Sequence, residues 1–226
     1  GTIVVQAADS VAETDFLLSL ADTHDWILGV VGWVDMEAND AVQTIERLAQ
    51  HSKFVGLRPM IQDIEDDRWM LRDTIKPALD CLKANDLCFD ALVKPRHLPH
   101  LSVFLDRYQD LKVVVDHGAK PEIINNGYLN WAREMQSIAN NSHAYCKLSG
   151  LVTEAAADWT DEAITPYANH ILTSFGSQRV MFGSDWPVLN MAGDYAGWIK
   201  LAESLLDDET RANVMGNTAQ EFYLGR

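Results

Sequence analysis

Several short apolar runs of this 226-residue sequence end in polar, charged or aromatic residues. The residues at these run ends are Gln6, Trp33, Asp35, Arg58, Lys94, Asp116, His117, Lys147, Ser149, Ser184, Asp185 and Trp186. Carboxylates and histidines transfer protons in active sites, while arginine and lysine stabilise the negative charge that develops during a reaction. Many ordinary strands also end in one such residue, so a single one is weak evidence of a function. Two cations, a histidine and an aspartate at different run ends together indicate an active site.

A parallel sheet would bring these residues together, and the chain has the pattern of one. Apolar, β-branched runs alternate with amphipathic segments, and no hairpin signal joins two runs. The predicted strands are residues 2–7, 27–34, 54–57, 88–93, 112–116, 144–148 and 180–183. The predicted helices are residues 11–23, 41–50, 74–85, 100–108, 129–140, 161–175, 194–206, 208–215 and 217–223.

The repeated strand–helix order predicts an α/β fold, a (β/α)8 TIM-like barrel formed by residues 1–226 as a single domain. The seven visible strands are one short of eight, and the sequence opens on a strand. We therefore expect a barrel that lacks its first βα unit. A doubly wound sheet is the alternative, although its GxGxxG turn is absent. In a barrel, the active site lies at the carboxyl ends of the strands.

The alternation of side chains along each strand predicts where some of these residues point. Asp185 shares a face of its run with Gly183, so its carboxylate points into the barrel mouth if Gly183 faces the axis. The same rule places Asp116 and His117 on opposite faces. It places Asp90 inside the barrel, where a buried carboxylate needs a cationic or hydrogen-bonding partner.

The composition argues against several classes of function. The chain has 18 basic and 33 acidic residues, a net charge of −15 that nucleic acids and anionic membranes would repel. No apolar run approaches the roughly 20 residues of a membrane span, and no signal peptide is evident. Cys81, Cys88 and Cys146 form no CxxC pair, which favours buried thiols in a reducing compartment. We expect a cytoplasmic protein that binds a small molecule.

Seven motifs carry a resemblance that spans nearly the whole chain. They are Gln6-Ala7-Ala8, Gly32-Trp33-Val34-Asp35, Gly56-Leu57-Arg58-Pro59-Met60, Phe89-Asp90, Val115-Asp116-His117 with Lys120-Pro121, Cys146-Lys147-Leu148-Ser149-Gly150 and Phe182-Gly183-Ser184-Asp185-Trp186-Pro187. The last two, in this order and spacing, are the most specific. The chain resembles the amidohydrolase-superfamily branch that holds L-fuconolactonase, L-rhamnonolactonase and 2-pyrone-4,6-dicarboxylate lactonase. It departs from the family in one respect, because the His-x-His pair of the first strand is absent.

The resemblance implies a TIM-like barrel that opens a sugar-acid lactone by attack of water on the ring ester carbonyl. It implies that Asp185 is the catalytic base and that His117 is catalytic, either polarising the carbonyl oxygen or protonating the leaving group. It implies that Arg58 and Lys147 bind the substrate. The other predicted substrate-binding residues are Gln6, Trp33, Lys94 and Trp186. For the two tryptophans, stacking on a sugar ring and packing in the core are both open.

The sequence leaves the question of a metal open. His117 and Asp185 offer nitrogen and carboxylate ligands, but a catalytic zinc usually takes three protein ligands. We expect no required cofactor, with zinc or another divalent ion on these two residues as the alternative. His97 and His100 form another pair, for which a turn at the start of a helix is the simpler explanation.

Two other functions compete with the lactonase. One is a metal-dependent hydrolase or decarboxylase of the wider superfamily. The other is a catalytically inactive barrel fragment that binds a ligand or a partner. The sequence does not identify the lactone, and it leaves the oligomeric state open, a homo-oligomer included.

Overall fold

Strands and helices alternate along the chain in a computed structural model that describes residues 1–225. The strands are β1 (Thr2–Val5), β2 (Ile27–Gly32), β3 (Phe54–Leu57), β4 (Cys88–Ala91), β5 (Val113–Val115), β6 (Tyr145–Leu148) and β7 (Val180–Phe182). The α-helices are α1 (Val11–Thr23), α2 (Ala41–Ala49), α3 (Lys76–Ala84), α4 (Leu98–Arg107), α5 (Tyr128–Asn141), α6 (Asp161–Phe175), α7 (Tyr195–Ser204), α8 (Asp208–Ala212) and α9 (Thr218–Leu224). Each predicted strand and helix has a counterpart. No helix among the described residues is long and apolar enough to span a bilayer.

The seven strands form one parallel sheet in which they follow one another in chain order, from β1 to β7. A doubly wound sheet would reverse its strand order at a switch point. The sequential order therefore confirms the predicted barrel-type sheet and excludes the doubly wound alternative. Because the strands are all parallel, their seven carboxyl ends lie at the same end of the sheet.

The two faces of the sheet are buried against different layers. One face packs on the surrounding helices and forms the main hydrophobic core, which includes the buried Cys81 and Cys146. The inner face forms a smaller core that α9 covers. That core consists of Val31, Val55, Cys88, Val114, Met181, Phe222 and Tyr223. The Phe222 ring lies 4.7 Å from that of Tyr145, the first residue of β6. The C-terminal helix thus lies at the end of the sheet opposite to the predicted active site.

Two local hydrogen-bond arrangements shape the turns at the carboxyl ends. Ser10 caps α1 by accepting a 3.2 Å bond from the Glu13 amide, and the Glu13 carboxylate accepts the amides of Ala7 and Ala8. The Ser10 bond satisfies a donor that a helix start leaves unpaired, and the Glu13 bonds hold the turn directly after Gln6.

A second arrangement joins the loops that follow β2 and β3. The carboxylate of Glu37 accepts hydrogen bonds from the Trp69 indole at 2.9 Å, the Thr74 hydroxyl at 2.6 Å and the Arg72 guanidinium. These bonds lower the pKa of Glu37 although burial acts to raise it, with the Thr74 bond contributing most. The long connection between β3 and α3 is therefore held to the neighbouring loop.

Candidate active site

A buried ion network, formed by Arg58, Asp90, Asp116 and Lys147, joins the ends of four neighbouring strands. The Lys147 ammonium lies 2.5 Å from Asp90 Oδ2 and 2.6 Å from Asp116 Oδ1. Arg58 Nη1 lies 3.2 Å from Asp116 Oδ2. The Tyr223 hydroxyl of α9 donates a 2.8 Å hydrogen bond to Asp90 Oδ2. The prediction that Asp90 lies inside the barrel with a cationic partner is confirmed.

Burial opposes every charge in this network, and charge pairing outweighs it at Asp116 and Lys147 but not at Asp90. Burial acts to raise the pKa of Asp116, but Lys147 and Arg58 outweigh it and hold that pKa well below its usual range. Burial acts to lower the pKa of Lys147, but Asp116 and Asp90 raise it. Burial and the charge of Asp116 together raise the pKa of Asp90 against the effect of Lys147. An ionised Asp116 therefore lies between two cations.

Arg58 and Gln6 bind each other across the intervening strand β2. Gln6 Nε2 donates a 2.7 Å bond to the backbone carbonyl of Arg58, and Arg58 Nη2 donates to the backbone carbonyl of Gln6. Gln6 is fully buried. Among residues 1–225, Gln6 Oε1 and Arg58 Nε are buried without a hydrogen-bond partner. The pair thus has one acceptor and one donor without a partner among these residues.

His117 and Asp185 meet at the mouth formed by the ends of β5 and β7. His117 Nε2 lies 3.7 Å from Asp185 Oδ1, and the two side chains are 10% and 15% exposed. On its other side, His117 Nδ1 lies 2.8 Å from Ser149 Oγ. Both backbones are left-handed, with φ of 51° at His117 and 55° at Asp185.

The left-handed backbone explains a difference from the alternation rule. That rule places His117 on the same face as Val113 and Val115, which pack in the main core against the helices. Asp116 lies on the opposite, inner face, as expected. At His117, however, the chain has left the strand conformation, so side chains no longer alternate and the imidazole turns towards Asp185.

Burial shifts the pKa of each of the two residues in the direction that favours its uncharged form. It raises the pKa of Asp185 to about 6, although Lys120 and Arg58 act against this shift. It lowers the pKa of His117 to about 3. At neutral pH the pair therefore consists of an ionised carboxylate beside a neutral imidazole, which is the arrangement of a base next to a hydrogen-bond donor.

Four residues near the site received no role from the sequence. Lys120 follows the turn that contains His117 and lies 3.7 Å from Glu154. Ser149 and Asp116 were among the run-end residues. Because β5 pairs with β6, that pairing could have predicted the contacts of Ser149 with His117 and of Asp116 with Lys147. Tyr223 gave no sequence signal, because it reaches Asp90 only through the packing of α9.

The remaining predicted substrate-binding residues lie outside this group of contacts. Trp33 is half-buried, and its backbone is tied to Thr14 of α1 by bonds of 2.9 and 3.2 Å. Trp186 is 64% exposed directly after Asp185. The Lys94 amide donates a 3.0 Å bond to His97 Nδ1 in the turn that precedes α4. The expected helix-start turn at His97 is therefore confirmed.

The side chains at the mouth that could bind a metal ion are His117 and Asp185. Within residues 1–225, no group of three or more His, Cys, Asp and Glu side chains is arranged to hold a metal ion. His117 and Asp185 supply two donors, one fewer than a catalytic zinc usually takes from its protein. These residues alone do not complete a zinc site, so no catalytic step is assigned to a metal, and binding of a divalent ion by this pair stays a prediction.

Comparison with known proteins finds relatives that match nearly the whole chain. The family model described as amidohydrolase matches residues 1–224. The L-fucono-1,5-lactonase of Burkholderia ambifaria is 42% identical over 229 residues, covering 98% of this chain and 79% of that protein. The L-fucono-1,5-lactonase of Burkholderia multivorans is 37% identical over 241 residues, covering 98% of this chain and 80% of its own length.

A solved structure agrees with these sequence relationships. The crystal structure of an amidohydrolase from Burkholderia multivorans with bound Zn superposes with a TM-score of 0.91 at 35% identity. The match covers 98% of this chain and 82% of that chain. The barrel-type fold and its strand order are therefore shared with a relative of known structure.

Proposed function

The chain belongs to the amidohydrolase family, and from this premise we propose that it is a lactonase that hydrolyses a sugar-acid lactone by attack of water on the ring ester carbonyl. The observation that carries the proposal is the pair at the mouth, in which the Asp185 carboxylate lies 3.7 Å from the His117 imidazole. The two Burkholderia relatives are L-fucono-1,5-lactonases. L-fucono-1,5-lactone is accordingly the first substrate to test.

Asp185 is the proposed general base. Its carboxylate takes a proton from the attacking water, and the protonated carboxyl then returns that proton to the leaving ring oxygen. A base is most effective when its pKa lies near the working pH. Burial raises the pKa of Asp185 to about 6, which makes the group more basic than an ordinary aspartate yet still ionised at neutral pH.

His117 and Arg58 are the proposed stabilisers of the oxyanion. The neutral imidazole of His117 donates a hydrogen bond to the carbonyl oxygen as negative charge grows there. Arg58 supplies a fixed positive charge, since Asp116 and the Gln6 carbonyl hold two of its nitrogens. Its buried Nε and the nearby Gln6 Oε1 are the groups left for substrate hydroxyl or carbonyl atoms. Lys147 contributes by keeping Asp116 ionised beneath Arg58.

Trp33, Trp186 and Lys94 complete the proposed substrate-binding set. An exposed indole such as that of Trp186 offers the flat apolar face on which a sugar ring stacks. The proposed reaction requires no metal, because the base, the donor and the cation are all side chains of the chain itself. The alternative of a divalent ion on His117 and Asp185 is tested by assaying the protein after exhaustive treatment with a chelator.

The deciding experiment is a pH-indicator assay of a panel of aldonolactones with the parent protein and Asp185→Asn. We expect the parent to release protons with L-fucono-1,5-lactone, with or without chelator, and the variant to lose roughly 10²–10⁴-fold in kcat. Circular dichroism checks that the variant is folded. Full turnover by Asp185→Asn would remove Asp185 as the base, and loss of turnover with the chelator would favour the metal-dependent alternative.

A further inference from the structure

Ser149 contacts His117 on the side of the imidazole ring that faces away from Asp185. Ser149 Oγ lies 2.8 Å from His117 Nδ1, whereas Asp185 lies near Nε2. Both residues are buried, with exposures of 1% for Ser149 and 7% for His117. The hydroxyl therefore meets the ring out of contact with water, where a hydrogen bond is strong and an unpaired group is costly.

The backbone around Ser149 holds this contact in one geometry. Gly150 has a left-handed φ of 64°, and a Cβ there would lie 2.7 Å from His117 Nδ1. A Cβ on Gly183 would lie 2.9 Å from Ser149 Cβ. Two residues without side chains thus let the ends of β6 and β7 close around the imidazole. The ring and the hydroxyl have little freedom to separate.

The position of Asp185 favours one of the two tautomers of the His117 ring. A neutral imidazole has one N–H and one lone pair. A carboxylate beside Nε2 attracts an N–H and repels a lone pair, so it favours a proton on Nε2. Nδ1 is then an acceptor, and the Ser149 hydroxyl is the donor that it meets.

We propose that Ser149 is a positioning residue whose hydroxyl donates a hydrogen bond to His117 Nδ1 and thereby holds the imidazole in the tautomer with its proton on Nε2. This tautomer directs the proton towards the mouth, where Asp185 lies and where the lactone of the proposed reaction would bind. The catalytic consequence rests on the proposed lactonase function, but the tautomer itself does not. Without the hydroxyl, Nδ1 loses its donor and the tautomer with a proton on Nδ1 becomes accessible.

Nitrogen NMR of the protein labelled at its histidines tests the tautomer directly. His117→Gln identifies the His117 signals by their disappearance. In the parent protein at pH 7.5, we expect a protonated Nε2 and an unprotonated Nδ1. The opposite pattern in the parent protein overturns the proposal, whether or not the protein hydrolyses any lactone. Absence of lactone hydrolysis by the parent counts against the proposed function and leaves this measurement to decide about Ser149.

A matched pair of variants tests the catalytic consequence. Ser149→Ala is expected to populate the Nδ1-protonated tautomer and to lower kcat by roughly 2- to 10-fold, the usual effect of one hydrogen bond, with KM little changed. Ser174→Ala is the control, because Ser174 Oγ makes a similar contact of 3.3 Å with His170 within helix α6. The control should keep the parental kcat and the parental His117 signals. Unchanged His117 signals and kcat in Ser149→Ala would overturn the proposal.

Discussion

Asp185→Asn is expected to make the folded protein more stable at alkaline pH while it removes the proposed base. The Asp185 side chain is 15% exposed, and burial raises its pKa to about 6. A carboxyl group whose pKa rises on folding holds its proton more tightly in the native state. Its stabilising contribution is therefore present below the unfolded pKa of about 3.9 and is lost as the pH rises through about 6.

The size of this effect follows from the difference between the two pKa values. Each pKa unit corresponds to about 1.36 kcal/mol, and the difference is about two units, so an ionised Asp185 costs about 3 kcal/mol at pH 8. At pH 4 the carboxyl is protonated in the native state, and the same relation leaves about 0.5 kcal/mol. Asparagine has nearly the same shape and also tolerates the left-handed backbone found here, so the substitution removes the charge without new strain.

Urea unfolding of the parent protein and Asp185→Asn at pH 8 and pH 4 measures this difference. We expect the variant to gain up to about 3 kcal/mol at pH 8 and little at pH 4. The exposed Asp25 provides the control, and Asp25→Asn should change the free energy of unfolding by less than about 0.5 kcal/mol at both pH values. A gain of the same size at both pH values, or a loss at pH 8, would refute the reasoning from burial of the charge.

Two further outcomes follow from the site. Lys147→Met leaves Asp90 and Asp116 buried without their shared ammonium, so it should lower the free energy of unfolding in urea by about 3–5 kcal/mol. The control Arg47→Met breaks an exposed salt bridge to Asp15 and should lower the same free energy by about 1 kcal/mol or less. The pH profile of kcat/KM should fall below pH about 6 as the proposed base is protonated, and a profile that stays flat down to pH 4.5 would contradict that assignment.

The fold was largely predictable because its pattern is local. Runs such as Val113–Val115 are apolar on both faces, as expected for a parallel strand covered by helices on one side and by the barrel interior on the other. Helices α1 and α6 begin and end where the sequence predicted. The predicted strands were mostly too long, because the apolar runs continue past the strand ends: the runs ended at Ala7 and Val93, whereas β1 ends at Val5 and β4 at Ala91.

The site was predictable in its composition but not in its contacts. Residue type and position at a strand end were sufficient to select Asp185, His117 and Arg58 as candidates. The contact between Tyr223 and Asp90 was beyond sequence reasoning, because it joins residues that are 133 positions apart through the packing of a helix. The turn of His117 towards Asp185 depends on a left-handed φ that no local sequence rule specifies.

The buried ion network explains how the guanidinium of Arg58 is held in place. A guanidinium is planar, so fixing two of its nitrogens sets the direction of the third. Asp116 holds one nitrogen of Arg58 and the Gln6 carbonyl holds another, which leaves the buried Nε with a single orientation. Lys147 keeps Asp116 ionised, and Asp90 in turn holds Lys147 from the interior of the barrel. In the proposed active site, these interior charges therefore hold the Arg58 Nε in one direction, which a flexible side chain in water would not achieve.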